Sequence, residues 1–134
     1  ILMKRKISTQ SEHQLQKQCV KWFKLQYPKL NMLLFAVPNG AVFAGDKSQR
    51  IRQWNRLKAE GATKGVSDLI LLVSSGDYSG LCIEMKTTAN HSKQTKEQKE
   101  FEMAVIPQGF GYVVPKTFDE FRKVVANYLE KGEY

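Results

Sequence analysis

Apolar residues Leu15, Cys19, Trp22 and Phe23 recur at helical spacing behind a Ser11-x-x-Gln14 capping pattern. They predict a first helix running up to Tyr27-Pro28. The unbroken apolar run 32–37 then reads as a buried strand, stopped by Pro38-Asn39-Gly40. Asp46 is placed to cap a second helix whose apolar face is Ile51, Trp54 and Leu57, with Gly61 closing it. Two short apolar runs, 68–73 and 81–86, flank the turn-rich segment 74–80 and read as a hairpin. Thr95-x-x-Gln98 opens a third helix with Phe101, Ala104 and Val105 inside, and Gly109 ends it. A fourth strand follows over 110–114. Thr117-x-x-Glu120 then caps a last helix through about Leu129, with Phe118, Phe121, Val125 and Leu129 facing inward. The order α-β-α-β-β-α-β-α predicts an α/β fold, a small mixed β-sheet flanked by helices.

The 134 residues suffice for one domain with a real core, placed at 3–134 with Ile1 and Leu2 ahead of it. No apolar run approaches the roughly 18 to 20 residues that cross a bilayer, and no secretory pattern opens the chain. A membrane partner is therefore not expected. Cys19 and Cys82 lie in apolar periodic segments and read as buried free thiols, which fits a reducing, intracellular (cytoplasmic) site of action. Twenty-one Lys and Arg against thirteen Asp and Glu give a net charge of +8, which favours polyanionic partners.

The candidate chemistry lies in the hairpin. Pairing Val73 with Leu81 sets Ile70 opposite Glu84 and Asp68 opposite Lys86. Side chains alternate along strands, so Asp68, Glu84 and Lys86 share one face. Two carboxylates suit a hard divalent cation such as Mg²⁺, and a cation there polarises a phosphodiester and activates water. The ammonium would hold the water or offset transition-state charge. The plain alternative is an ion-paired sheet surface.

Glu12 continues the inward stripe of the first helix and could join that site, although an acid in a first turn is also explained by the helix dipole. Gln98 could orient water or phosphate, while its capping-box position explains it equally. Arg50, Arg52, Arg56, Lys58 and Lys64 are candidates for gripping phosphates, but on a helix they do not form one row. Lys93, Lys96 and Lys99 suit a backbone-binding rim or a solvated helix face. His13 and His91 are assigned no chemistry.

The ordered set Pro38-Asn39-Gly40, Leu57-Lys58-x-x-Gly61, Gly65-x-x-Asp68-Leu-Ile-Leu, Ile83-Glu84-x-Lys86, Thr95-x-x-Gln98 and Gly109 resembles the VRR-NUC domain of the PD-(D/E)xK nuclease superfamily. The resemblance runs from about Glu12 to Leu129 and is to the stand-alone viral and bacterial kind. It implies a restriction-endonuclease-like fold and a DNA endonuclease dependent on Mg²⁺ or Mn²⁺, leaving 3′-hydroxyl and 5′-phosphate ends. Asp68 and Glu84 would be metal ligands with the Met85 backbone carbonyl a third, and Glu12 would lie near the metal. Lys86 would be the catalytic lysine and Gln98 the helix glutamine of the site. From their charge and position rather than from the resemblance, Arg50, Arg52, Lys64, Lys93 and Lys96 are expected to contact DNA.

Stand-alone relatives look like homodimers that cut branched DNA, including four-way (Holliday) junctions. Ser67 departs from the proline often found before the motif aspartate, at a position that tolerates variation. Every charged site position is present, which argues against a non-cutting descendant. Two other classes remain open: a nucleic-acid-binding module whose acidic cluster is structural, and a nuclease that needs a partner protein.

Overall fold

The computed structural model describes residues 10–38, 43–87 and 93–134. Asn39, Gly40, His91 and the first nine residues lie outside them. Four helices and four strands occur in the expected order: α1 (Glu12–Gln26), β1 (Leu34–Ala36), α2 (Lys47–Ala59), β2 (Leu69–Leu71), β3 (Gly80–Ile83), α3 (Lys96–Val105), β4 (Phe110–Val113) and α4 (Phe118–Lys131). Short 3₁₀ turns at Pro28–Leu33 and Ile106–Gln108 were not expected. The first absorbs Met32 and Leu33, which sequence placed in β1.

Local chemistry sets the helix ends. Ser11, Asp46 and Thr95 each accept a hydrogen bond from the backbone N–H three residues on, and Gln14, Gln49 and Gln98 reach back to the cap N–H. Thr117 caps α4 in the same way, but Glu120 instead accepts from Lys116 N at 2.7 Å, so no reciprocal box forms. α2 closes as a Schellman motif: Ala62 N donates to Leu57 O, Gly61 N donates to Lys58 O, and Gly61 sits at φ +109°.

The sheet order is β1-β2-β3-β4, with β1/β2 and β2/β3 antiparallel and β3/β4 parallel. One sheet face carries Leu34, Leu69, Leu71, Leu81, Ile83 and Val113. It packs on Leu15, Cys19 and Phe23 of α1 and on Phe121, Val125 and Tyr128 of α4. Trp22 seals the α1–α4 seam with edge-on contacts to Tyr27, Phe118 and Phe121. Burying such side chains contributes roughly 1.5–3 kcal/mol each, so this face carries most of the stabilisation. α3 lies on the other face, where Phe101 meets Tyr112 of β4.

Three expectations need correction. β1 is an edge strand: Leu34 is buried, but Phe35 and Ala36 are exposed because the strand has only one neighbour. The apolar stripe of α2 is not buried, since no residue of that helix is and Ile51 is 49 % exposed. In α3, Ala104 is exposed and Phe101 and Val105 are only half-buried.

The hairpin register also differs. Observed pairs are Leu69 with Ile83, Ile70 with Cys82 and Leu71 with Leu81, two residues away from the expected alignment. The cause is the turn. Ser75 and Tyr78 exchange backbone hydrogen bonds of 3.0 Å around Gly76-Asp77, so the chain reverses tightly instead of through a seven-residue loop. Three residues (72–74) then face two (79–80), a bulge that sets the final alignment. A shift of two preserves side-chain parity. Among the described residues, no helix is long and apolar enough to cross a membrane.

Candidate active site

Continuing the observed pairing past Leu69 and Ile83 brings Asp68 opposite Glu84, not Lys86. The chain holds this alignment beyond the formal strands: Val37 N donates to Asp68 O at 2.9 Å, and Glu84 N donates to Val113 O at 2.9 Å. Asp68 therefore sits between two neighbours, and Glu84 extends the central strand. Both side chains point to the α3 side of the sheet, on the parity of Ile70, Cys82 and Tyr112.

Each carboxylate has one defined anchor. Asp68 Oδ2 accepts from Met85 N at 2.7 Å. Glu84 Oε1 accepts from Gln98 Nε2 at 2.8 Å. Gln98 caps the helix as expected, its Oε1 accepting from Thr95 N at 2.9 Å, while its amide nitrogen donates to Glu84 where a water or phosphate was expected. Its carbonyl being committed to the helix cap, only the NH₂ can face the acid. Replacing Gln98 with Ala should weaken divalent-metal binding by about 10- to 100-fold, the usual cost of losing a group that orients a ligand. Calorimetric titration with Mn²⁺ checks this, and unchanged affinity would remove Gln98 from the site.

The second oxygen of Glu84 is the anomaly. Glu84 is 3 % exposed, and its Oε2 is buried with no hydrogen-bond partner among the described residues. A buried unpaired carboxylate oxygen is costly, so such a group neutralises itself. Burial first, then the Asp68 charge, pushes Glu84 up to about 8, although Lys86 pulls the other way. Asp68 is also raised, chiefly by burial, against the Met85 N–H that lowers it. Near neutral pH the Asp68–Glu84 pair therefore favours holding one proton between them, with Glu84 the more strongly raised of the two.

Glu12, at the first position of α1, is near enough that its charge raises both acids. Lys86 is half-buried and its charge lowers both, with no ion pair within 4 Å to either acid among the described residues. The five sequence-selected groups thus converge electrostatically. Among the described residues no three His, Cys, Asp or Glu side chains cluster closely enough to cage a metal by themselves. The donor set nonetheless fits a hard cation. Two carboxylates meet, one oxygen is orphaned, and main-chain, water or phosphate oxygens can complete such a shell.

Gly65 explains how this approach is possible. It lies at φ +92°, and a Cβ there would come within 2.4 Å of the Glu97 backbone. Its loop therefore runs directly against the first turn of α3, carrying Asp68 toward Gln98. Ser67 is fully buried and donates to Leu69 O at 3.2 Å, bracing the entry to β2.

The expected DNA-contacting cations are dispersed. Arg50 and Arg52 are exposed on α2, about 200° apart around the helix. Lys64 pairs with Glu97 at 3.8 Å and Lys96 with Glu100 at 3.9 Å, both exposed; Lys93 is exposed. Sequence missed Tyr112 and Gln94. Gln94 Nε2 donates at 3.2 Å to both Tyr112 Oη and Glu102, and burial pushes Tyr112 up to about 12. The parity of β4 was the available signal, since Tyr112 pairs with Cys82 on the face of Glu84.

No family model matches the sequence, and no curated protein matches it significantly. The fold is similar to that of a solved VRR_NUC domain protein, with a TM-score of 0.76 and 26 % identity over 95 % of this chain and 94 % of that one. The chain thus has a VRR-NUC domain fold, mixed α/β and restriction-endonuclease-like.

Proposed function

We propose, with the VRR-NUC fold as premise, that residues 3–134 form a single divalent-metal-dependent DNA endonuclease domain. The observation that carries this reading is the buried Glu84 carboxylate set beside Asp68, with Gln98 holding one oxygen and no donor reaching the other among the described residues. Asp68, Glu84 and the Met85 carbonyl would hold Mg²⁺ or Mn²⁺, with Glu12 contributing at the edge. When bound, the cation supplies Lewis acidity toward the phosphodiester.

The chain's own groups do the rest. Gln98 fixes the Glu84 rotamer, and the Met85 N–H fixes Asp68. The Lys86 ammonium, on the same face, offsets charge that builds on the phosphoryl oxygens and orients the attacking water. Hydrolysis would leave 3′-hydroxyl and 5′-phosphate ends. A two-fold homodimer would present two such sites to symmetry-related strands, the geometry for branched DNA such as four-way junctions. The net charge of +8 supports a nucleic-acid partner, and the free thiols Cys19 and Cys82 support an intracellular place of action.

The test is cleavage of a labelled four-way junction beside matched linear duplex, with Mg²⁺, Mn²⁺ or EDTA. Paired, metal-dependent cuts near the branch are expected. Equal cleavage of both substrates would remove the junction preference. Tight, salt-sensitive binding without any cut would turn the reading to a binding module or a partner-dependent nuclease.

A further inference from the structure

The sheet face that carries the acid pair is covered unevenly. Phe35, Ile70, Cys82 and Tyr112 lie in one row across the four strands, each paired with the next. At the β4 end the row is closed, with Tyr112 against Phe101 of α3 and Cys82 buried beside it. Toward β1 it opens: Ile70 is half-buried and Phe35 is 42 % exposed. Leu72 follows on the parity of Ile70, its N–H donating to Leu33 O at 2.8 Å, and is 51 % exposed. A lone exposed apolar side chain calls for no explanation. These three adjoin one another, and along β2 the strip they form runs straight into Asp68.

A strand advances about 3.3 Å per residue, so Leu72 to Asp68 spans about 13 Å. Val37 N bonds Asp68 O, which makes Phe35 the diagonal neighbour of Asp68 on that face. Such neighbours are about 7–8 Å apart, within reach of an aromatic side chain. An apolar ledge ending on two acids fits a ligand that joins a flat apolar surface to a phosphate. A nucleotide is such a ligand. A protein surface seated on the same ledge would close off the acid pair. Resting on the nuclease reading above, we propose that Phe35 is the platform on which one unpaired base stacks while a neighbouring phosphate meets Asp68 and Glu84. A base inside a duplex has both faces stacked already and offers none to Phe35. The site therefore selects strands with an unpaired nucleotide beside the scissile bond over fully paired duplex.

The experiment first maps the wild-type cut, with Mn²⁺, in a duplex carrying a single-stranded arm. Substrates with one abasic residue at each position flanking that cut are then given to wild type, Phe35→Ala, Phe35→Leu and Phe35→Trp, and kcat/KM is measured. Removing one base beside the cut should lower wild-type efficiency by about 5- to 100-fold, the range of a single base–aromatic stack. Phe35→Ala should lose a similar factor on the intact strand and nothing more on the abasic one. Phe35→Leu keeps apolar bulk at this half-open edge position but lacks the ring, so it should behave as Phe35→Ala does while melting with wild type. Phe35→Trp should restore the dependence on that base. Losses that simply multiply, base removal costing the variants as much as wild type, would overturn the platform while leaving the nuclease reading standing. So would multiplying losses accompanied by conversion of a dimeric wild type to a monomer, which would make the ledge a contact between copies. A wild type that cuts none of these substrates with Mg²⁺ or Mn²⁺ would overturn both.

Discussion

Replacing Asp68 with Asn should lower metal-dependent DNA cleavage by about 10³-fold or more while the protein stays folded. The asparagine side chain keeps an oxygen that can accept from Met85 N, the 2.7 Å contact that holds the hairpin end in place. What disappears is the negative charge beside Glu84. Losing it removes a like-charge repulsion that helps raise Glu84, so the variant should be as stable as the wild type or slightly more so. Lys86→Ala should act through a different quantity. It leaves both carboxylates in place, so metal affinity should persist while single-turnover cleavage falls by about 10²- to 10³-fold. The check is single-turnover cleavage at saturating metal, with thermal unfolding of each variant alongside. An Asp68→Asn protein that cuts within tenfold of wild type at saturating metal would show that the acid pair is not the reaction centre.

The second large effect is a pH dependence of both stability and metal affinity, set by the proton that the acid pair holds. In the metal-free protein Glu84 is raised from 4.5 to about 8, so between those values the folded state holds a proton that the unfolded chain has lost. Stability therefore falls as pH rises through this window, and the contribution is fully present only below about 4.5. Metal requires the carboxylate, so binding at pH 7 should release close to one proton. Apparent metal affinity should then rise about tenfold per pH unit on approaching pH 8 from the neutral side, where it levels off. Titration calorimetry in buffers of different ionisation enthalpy counts the proton. Glu84→Gln should abolish both the release and the stability slope. Proton release below about 0.3 per metal at pH 7 would mean that the metal does not bind through Glu84.

Much of this architecture was legible because its signals are local. Capping patterns at Ser11 and Thr95 depend only on residues three apart, and with the lone cap at Asp46 each marked a helix start correctly. Parity along the hairpin was equally secure, which is why Asp68 and Glu84 were placed on one face despite the wrong register. The register itself depended on whether segment 74–80 turned at Gly76-Asp77 or looped more widely, a choice made by bridge geometry that alternation does not encode. That choice decides the electrostatics, because it sets carboxylate against carboxylate where an Asp68–Lys86 pair was expected. The exposure of α2 was illegible for another reason. An apolar stripe reports what a helix could bury, not whether the fold brings anything to cover it. That Gln98 both caps and belongs to the site was legible from its box and from the resemblance; that its site partner is Glu84 was not, because only the approach of α3 to β3 reveals the second bond.

Both native thiols are packed inside the fold, Cys19 at 0 % exposure and Cys82 at 2 %. Burial pushes Cys19 up to about 12, and burial also raises Cys82. Neither offers an accessible thiolate near neutral pH, so alkylating dyes should pass them by in the folded state. A single cysteine placed on the outer surface would then be the one fast-reacting position, with no prior removal of the native pair. The chain is in effect ready-made for site-specific fluorophores, and a label placed beside the acid pair could follow substrate engagement and release in real time.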